Sequence, residues 1–563
     1  MKFENYKYER PDILTYQQKS RACLAQIGTG KNVEEEILAI KKYHELDDEI
    51  SSMITLASIR NSLNTKDPFY EEEQKFFDEN MPYIQEIGNE FINKLLTSSN
   101  RAQLEKEFGK LIFTQAEVSK KTFSVEIIDD LKKENKLQSE YVKLISSAQI
   151  EFDGKIYNLS QMAPFNQSLK RDVRKKASLA VSKFFNDNLE KFDQIYDDLV
   201  KIRDVIAKKL GYENFIQLGY DRLGRSDYNY KDVEKYRNAI FQKVVPIVEE
   251  LTKRKAKRLK IKNPQSYDLA LSFLSGNPTP KGDEKWQVAA AKKMYEEMSP
   301  ETNEFFNFML NSNLLDLSSK ANKAAGGYCT YIPKYESPFI FANFNGTSHD
   351  VDVLTHEAGH AFQIYQSRNL MPEYRWPTME SAEIHSMSME FLAWPWVENF
   401  FKEDTSKYKF NHLAGAISFL PYGALVDHYQ HEVYTNVELT GADRRNLWRK
   451  LEKAYLPFKK YDEDEFLKNG GFWFRQGHIF SSPFYYIDYT LAQVCAFQYW
   501  IKSQENYQQA WESYLSLCRQ GGSKSFLELI KHANLKNPFI EGKIEEIIKP
   551  IKKYLDSIDD LSL

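Results

Sequence analysis

The chain has 563 residues, 42% hydrophobic and 14% aromatic, including 34 Tyr and 37 Phe, which suits a large core or several domains and argues against disorder. A formal charge of −4 gives no general attraction to nucleic acid or to an anionic membrane, and four dispersed cysteines (Cys23, Cys329, Cys495, Cys518) make neither a disulfide scaffold nor a paired ligand motif. The opening run MKFENYKYERPD lacks the apolar core of a secretory signal, and no stretch approaches about 18 apolar residues, so a cytoplasmic soluble protein is expected.

Along the chain the pattern is mainly helical with charged outer faces. Residues 31–52, 71–98, 183–212 and 233–262 carry apolar positions three or four apart, without the sustained heptads of a coiled coil. The segment 150–156 predicts a small hairpin, because Asp153-Gly154 accepts the positive φ of a tight turn. The basic run 253–262 follows Glu249 and Glu250 and has no interleaved aromatic platform, so it reads as a solvated helix face. Gly276 to Gly282 lacks the spacing of a phosphate loop and reads as a turn. From 326 the texture changes. Gly326-Gly327 leads into YCTYIP, and 338–344 is strand-like. A strand there would hold an extended peptide by backbone hydrogen bonds, with a purely structural hairpin as the competing reading. Asn345 to Ser348 then supplies a turn and a helix cap.

The helix predicted next carries the densest chemistry, His356-Glu357-Ala358-Gly359-His360. Positions i and i+4 lie about 40° apart around a helix and roughly 6 Å along it, so the two imidazoles converge on one ion. Glu357 points to the flank, where it can take a proton from water without occupying a coordination position. A catalytic zinc needs a third protein ligand while one position stays open. The downstream candidates are Glu373, Glu380, Glu383, Glu390, Glu398 and His385. Residues 378–400 have helical character despite Pro395, and Glu383 and Glu390, seven apart, share a face. One would bind the ion while the other supports a ligand histidine. His385 lies about 200° from Glu383 around the helix, and Glu380 rivals Glu383 on geometry.

With HEAGH and Glu383-Ile384-His385-Ser386-Met387-Ser388-Met389-Glu390 in view, the chain resembles the thimet oligopeptidase/oligoendopeptidase F family of zinc metallopeptidases. The resemblance covers about residues 190–560 and extends more loosely upstream. It implies that Glu383 is the third ligand beside His356 and His360, with Glu390 behind them. His385 stands where several relatives carry proline. The segment Gly477 to Tyr489 is similar to the family's substrate-binding His/Tyr region, which implies that His478 and Tyr486 face substrate and that Tyr489 is the preferred oxyanion donor. Asp488 is expected to support this region rather than transfer protons. The architecture implied is a mainly α, two-lobed helical zincin with a small β-sheet beside a deep active-site channel. An amino-terminal helical region would span 1–190 and a metallopeptidase region 191–563.

The expected activity is zinc-dependent hydrolysis of internal bonds in short unstructured oligopeptides by a metal-activated water, with Glu357 as base and one Zn2+ as the cofactor. Nucleic-acid and membrane partners are not expected, and the oligomeric state stays open. A zinc carboxypeptidase and a peptide-binding scaffold with a non-catalytic metal are the alternatives. Cys329 and Cys495 are assigned to packing, while His428 and His431, whose i,i+3 spacing lacks a base, read as structural or surface residues, with channel-wall contact the next reading. His349, just before the metal-binding helix, is open to substrate contact or to packing at the helix start.

Overall fold

The computed structural model describes residues 1–28 and 32–563. The first long helices are α1, Val33–Leu63, and α2, Pro68–Thr97. Asn32 caps α1 by accepting from the Glu34 N–H, and Glu34, Glu35 and Glu36 in its first turn suit the positive end of the helix dipole. Lys31, where the sequence starts this helix, lies outside the described residues. Asp67 caps α2 through the Phe69 and Tyr70 N–H groups. These helices enclose a core of their own, with Tyr43, Ile87, Phe91 and Leu95 at its centre. Tyr374, from far along the chain, is inserted into that core, and its hydroxyl accepts from the Ile112 N–H at 3.0 Å.

The predicted hairpin forms from β1, Ile150–Phe152, and β2, Lys155–Tyr157, with Asp153 and Gly154 both at positive φ. Two helices expected to be continuous are broken. Residues 171–209 divide into α3, Arg171–Asp187, and α4, Leu189–Lys209, at Asn188, whose φ/ψ of −112°/16° departs from helix. The next pair is α5, Tyr230–Lys243, and α6, Val245–Arg258. Pro246 lacks the N–H that would continue α5, and its ring crowds the preceding turn. The basic run is solvated only in part: Lys253, Lys257, Lys260 and Lys262 are exposed. Arg258 is buried and pairs with Asp560, and Arg254 reaches Asp556 and Asp560.

A three-stranded sheet follows, built from β3, Leu315–Ser318, β4, Tyr328–Ile332, and β5, Ser337–Phe344. β5 is central, parallel to β3 and antiparallel to β4. Its first six residues are buried, as a covered central strand requires. β5 delivers the chain into α7, His349–Ser367, which carries HEAGH. Ser348 makes no side-chain cap here. Instead the Asp350 carboxylate accepts from the Asn345 and Gly346 N–H groups, both at 2.8 Å, and ties the turn to the helix. α8, Met379–Leu392, ends before Pro395, which sits in a short 3-10 turn, so helix does not run through to residue 400. The remaining elements needed below are α9, Thr405–Thr435, α10, Tyr486–Glu505, and α11, Tyr507–Gln520. No helix among the described residues is long and apolar enough to cross a membrane.

Replacing Tyr374 by Ala should empty a buried site and strip the Ile112 N–H of its acceptor, lowering unfolding free energy by about 3 kcal/mol. Denaturant unfolding checks this, and an unchanged midpoint would show that the insertion carries no stability.

Candidate active site

Gly359 explains how α7 and α8 come together. A Cβ built at that position would lie 2.7 Å from both the His385 carbonyl oxygen and the Ser386 Cα, closer than packed atoms approach. The missing side chain therefore lets one helix rest on the backbone of the other. That contact brings Glu383 over HEAGH: its Oε2 lies 3.2 Å from His356 Nε2 and 3.2 Å from His360 Nε2. One ligand atom from each residue falls within 4.8 Å of the others, a grouping able to hold a metal ion. Two imidazole nitrogens and a carboxylate oxygen form a donor set suited to catalytic zinc.

The surrounding hydrogen bonds orient these donors. Glu390 Oε1 lies 2.7 Å from His356 Nδ1, and its Oε2 lies 2.8 Å from His412 Nε2. Trp394 Nε1 donates to His412 Nδ1 at 3.0 Å, so the His412 proton sits on Nε2 and points at Glu390. His356 likewise presents Nδ1–H to the carboxylate, which leaves its Nε2 lone pair directed at the centre. Burial opposes ionisation of Glu390, yet the two histidine hydrogen bonds outweigh it and draw the carboxyl down to about 2. Glu383 is also held well below the carboxylate range, because His360 and His356 overcome the cost of burial. Its Oε2 accepts from Ser386 Oγ at 2.8 Å, and its Oε1 accepts from the Tyr485 hydroxyl.

Glu357 is 7% exposed, its Oε2 has no hydrogen-bond partner, and burial raises its pKa against the opposing pull of His356 and His360. A raised, unpaired carboxylate beside a metal-binding group suits proton transfer. β4 runs past it as an edge strand, and a Cβ at Gly327 would stand 3.5 Å from Glu357 Oε1.

On the other side, the turn Gly477–Ser481 and the start of α10 supply an aromatic cluster. His478 Nδ1 accepts from Gln476 Nε2 at 2.8 Å, placing the ring proton on Nε2, which lies 3.3 Å from the Tyr489 hydroxyl. Burial lowers His478 to about 4 despite the nearby Glu383 charge, so the ring is neutral and donates from Nε2. Tyr486 packs edge-on against His478 at 5.0 Å, Tyr489 at 5.4 Å and Tyr422 at 5.7 Å. Burial raises Tyr485, Tyr486 and Tyr489 above the usual phenol range, so all three keep their protons. Asp488 accepts from fully buried Arg225, a structural pairing.

The other sequence candidates are elsewhere. Glu380 is buried toward Arg225 and Asp227 and raised by burial to about 7, outside the metal-binding group. Glu373 pairs with His44 at 2.9 Å, Glu398 is exposed, and His385 turns its Nδ1 toward Cys518 Sγ at 3.4 Å. His431 meets Tyr220 and Asp427, while His428 meets Tyr455 and Glu432. His349 is exposed at the start of α7. Three contributors escaped the sequence reading. Tyr485 had a local signal, since i,i+4 spacing puts it on the Tyr489 face. His412 had none, lying 22 residues beyond Glu390 on α9. Trp376, stacked 5.7 Å from His360, lies in the link between the two helices, where no periodicity marks it.

Residues 3–123 match the family model described as Peptidase M3 N-terminal domain, and residues 165–547 match Peptidase family M3. The chain belongs to peptidase family M3. It is thereby a zinc metalloendopeptidase of the M3/oligoendopeptidase F family, mainly α and two-domain, with small sheets flanking the active-site region. A solved structure of Pz peptidase A with an inhibitor is 51% identical, covers 100% of both chains and superposes with a TM-score of 0.99. An oligoendopeptidase F homolog of Borreliella burgdorferi is 23% identical over 68% of this chain and 67% of its own length. Another, from Mycoplasma genitalium, is 21% identical over 55% of this chain and 52% of its own length.

Gly359→Ala should force α7 and α8 apart at an overpacked crossing, costing about 1–3 kcal/mol in stability. Zinc affinity, measured by competition with a chromophoric chelator, should fall about tenfold. Unchanged affinity would show that the close approach is not what aligns Glu383.

Proposed function

We propose that this M3 peptidase cleaves internal bonds of short, unstructured oligopeptides in the cytoplasm, with one Zn2+ held by His356, His360 and Glu383. The observation carrying this reading is the single Glu383 oxygen 3.2 Å from both histidine Nε2 atoms, with the unpaired Glu357 carboxylate next to them. Bound there, zinc supplies Lewis acidity and lowers the pKa of water. Glu357 accepts the water proton and passes it to the departing amine; its raised pKa makes the carboxylate a stronger base for the first of these transfers. Tyr489 and the neutral His478 donate hydrogen bonds to the carbonyl oxygen as it gains charge. Tyr486 supplies a wall for the substrate chain, and Glu390 holds His356 in the tautomer that exposes Nε2. The edge of β4 beside Glu357 offers backbone groups to an extended peptide, a conformation that folded proteins rarely present.

Glu357→Gln should retain zinc and lower turnover of an internally quenched peptide by about 10²–10⁴-fold. Bound zinc by mass spectrometry and turnover by fluorescence are read on the same sample, and normal turnover would remove Glu357 as the base. A peptide blocked at both ends should still be cut, as hydrolysis of internal bonds requires. Tyr489→Phe should lower kcat by about 10²-fold with little change in KM. A single-turnover rate equal to that of the parent enzyme would exclude it from oxyanion stabilisation.

A further inference from the structure

A cavity of about 590 Å³ adjoins the aromatic side of the active site, between α6, α9 and the segment 456–476. Two of its lining residues also belong to the site's hydrogen-bonded wall. Gln476 donates to His478, and Tyr422 donates to Gln476 at 2.7 Å while packing against Tyr486. The cavity and the active site thus share the Gln476–Tyr422 wall.

Its charge is one-sided. Lys255, Arg258, Lys459 and Arg475 line it, and no acidic residue does. The carboxylates behind the wall are shared and too few. Asp560 serves Arg258 and Arg254, and Glu452 serves Lys459 and Arg449. Lys255 donates only to the Leu269 carbonyl at 2.9 Å. Arg475 has neither an ion pair nor a side-chain hydrogen bond among the described residues, and its guanidinium rests against the Phe185 and Phe472 rings. Among the described residues, these two cations thus line one cavity with no carboxylate bonded to either, Asp464 and Glu452 acting on Arg475 only through their charge. Burial and the Arg258 charge pull Lys255 down to about 8, and burial takes Lys459 to about 8 even with Glu452 beside it. A cation without a bonded carboxylate gains from one that enters the cavity. The remaining wall, including Leu251, Phe410 and Phe472, suits the apolar parts of a peptide.

We propose that this cavity is a substrate subsite that receives a peptide carboxylate through Lys255 and Arg475. The proposal rests on the peptidase reading above and deepens it. Cleavage is then positioned relative to a negative charge on the substrate, supplied by the chain's free C-terminus or by an Asp or Glu side chain. Both sources present the same group, and the guanidinium fork accommodates it in two hydrogen bonds.

The test uses zinc-loaded Glu357→Gln enzyme, so that binding is read without cleavage, and fluorescent unstructured peptides compared by anisotropy. One pair differs only in a free or amidated C-terminus. A second, amidated at the end, differs only in Glu or Gln at one position. The carboxylate form of at least one pair should bind about tenfold more tightly, and that pair identifies the source. Adding Lys255→Met or Arg475→Gln should reduce the ratio several-fold. Because Arg475 also packs on two rings, the Lys255 variant provides an independent reading, with melting temperatures confirming folding. Equal affinities within both pairs, or a ratio that survives both substitutions, would overturn the proposal. Turnover of an unblocked, Glu-containing peptide by the unsubstituted enzyme is measured separately: its absence would sink the peptidase reading while the binding comparison still decides the subsite.

Discussion

The contact between α7 and α8 at Gly359 is the constraint on which the site depends. Two histidines one helical turn apart are local geometry, but a carboxylate 23 positions downstream reaches them only if the second helix lies almost against the first. Any side chain at 359 would meet the backbone of His385 and Ser386. Close approach also makes the site rigid, because Glu383 is then held by Ser386 and Tyr485 before any ion is considered. Preorganised donors need little reorganisation when an ion enters.

Around this crossing the charges are arranged in layers. Glu390 accepts hydrogen bonds from two histidines and stays ionised in a buried place, so its charge fixes ring orientation. Glu357 is the one acid in the group left with an unpartnered oxygen, and burial shifts it the other way. Similar carboxylates thus acquire different chemistry from their neighbours. Opposite them, burial keeps His478 neutral and the tyrosines protonated, so that face presents donors without a fixed charge.

The linker between the two metal-binding helices ties the centre to the amino-terminal helices. Within four residues, Glu373 meets His44, Tyr374 enters the smaller core, Arg375 binds Asp48 at 2.7 Å and Trp376 stacks on His360. A displacement of α1 would therefore be felt at a histidine of the metal-binding group through a short chain of contacts. The cationic cavity lies on the other flank, where α6 contributes Lys255 and the segment before His478 contributes Arg475. The cationic lining of that cavity is thus drawn from parts of the chain more than 200 residues apart.

The sequence by itself determined the helical class, the hairpin at Asp153-Gly154, the strand ahead of the metal-binding helix, and the identities of His356, Glu357 and His360. Each is encoded by residues close together, where period, turn chemistry and i,i+4 spacing act directly. Breaks at Asn188 and before Pro246 were harder to read because apolar periodicity continues across them. Position on a helix left Glu380 and Glu383 as rivals, and family resemblance favoured the second. Only the tertiary structure separated them physically, by turning Glu380 toward Arg225 and Glu383 toward the histidines. It also decided the hydrogen bonds of His412, the insertion of Tyr374 and the placement of Lys255 and Arg475 on one cavity, because packing between distant elements leaves no spacing rule in the chain.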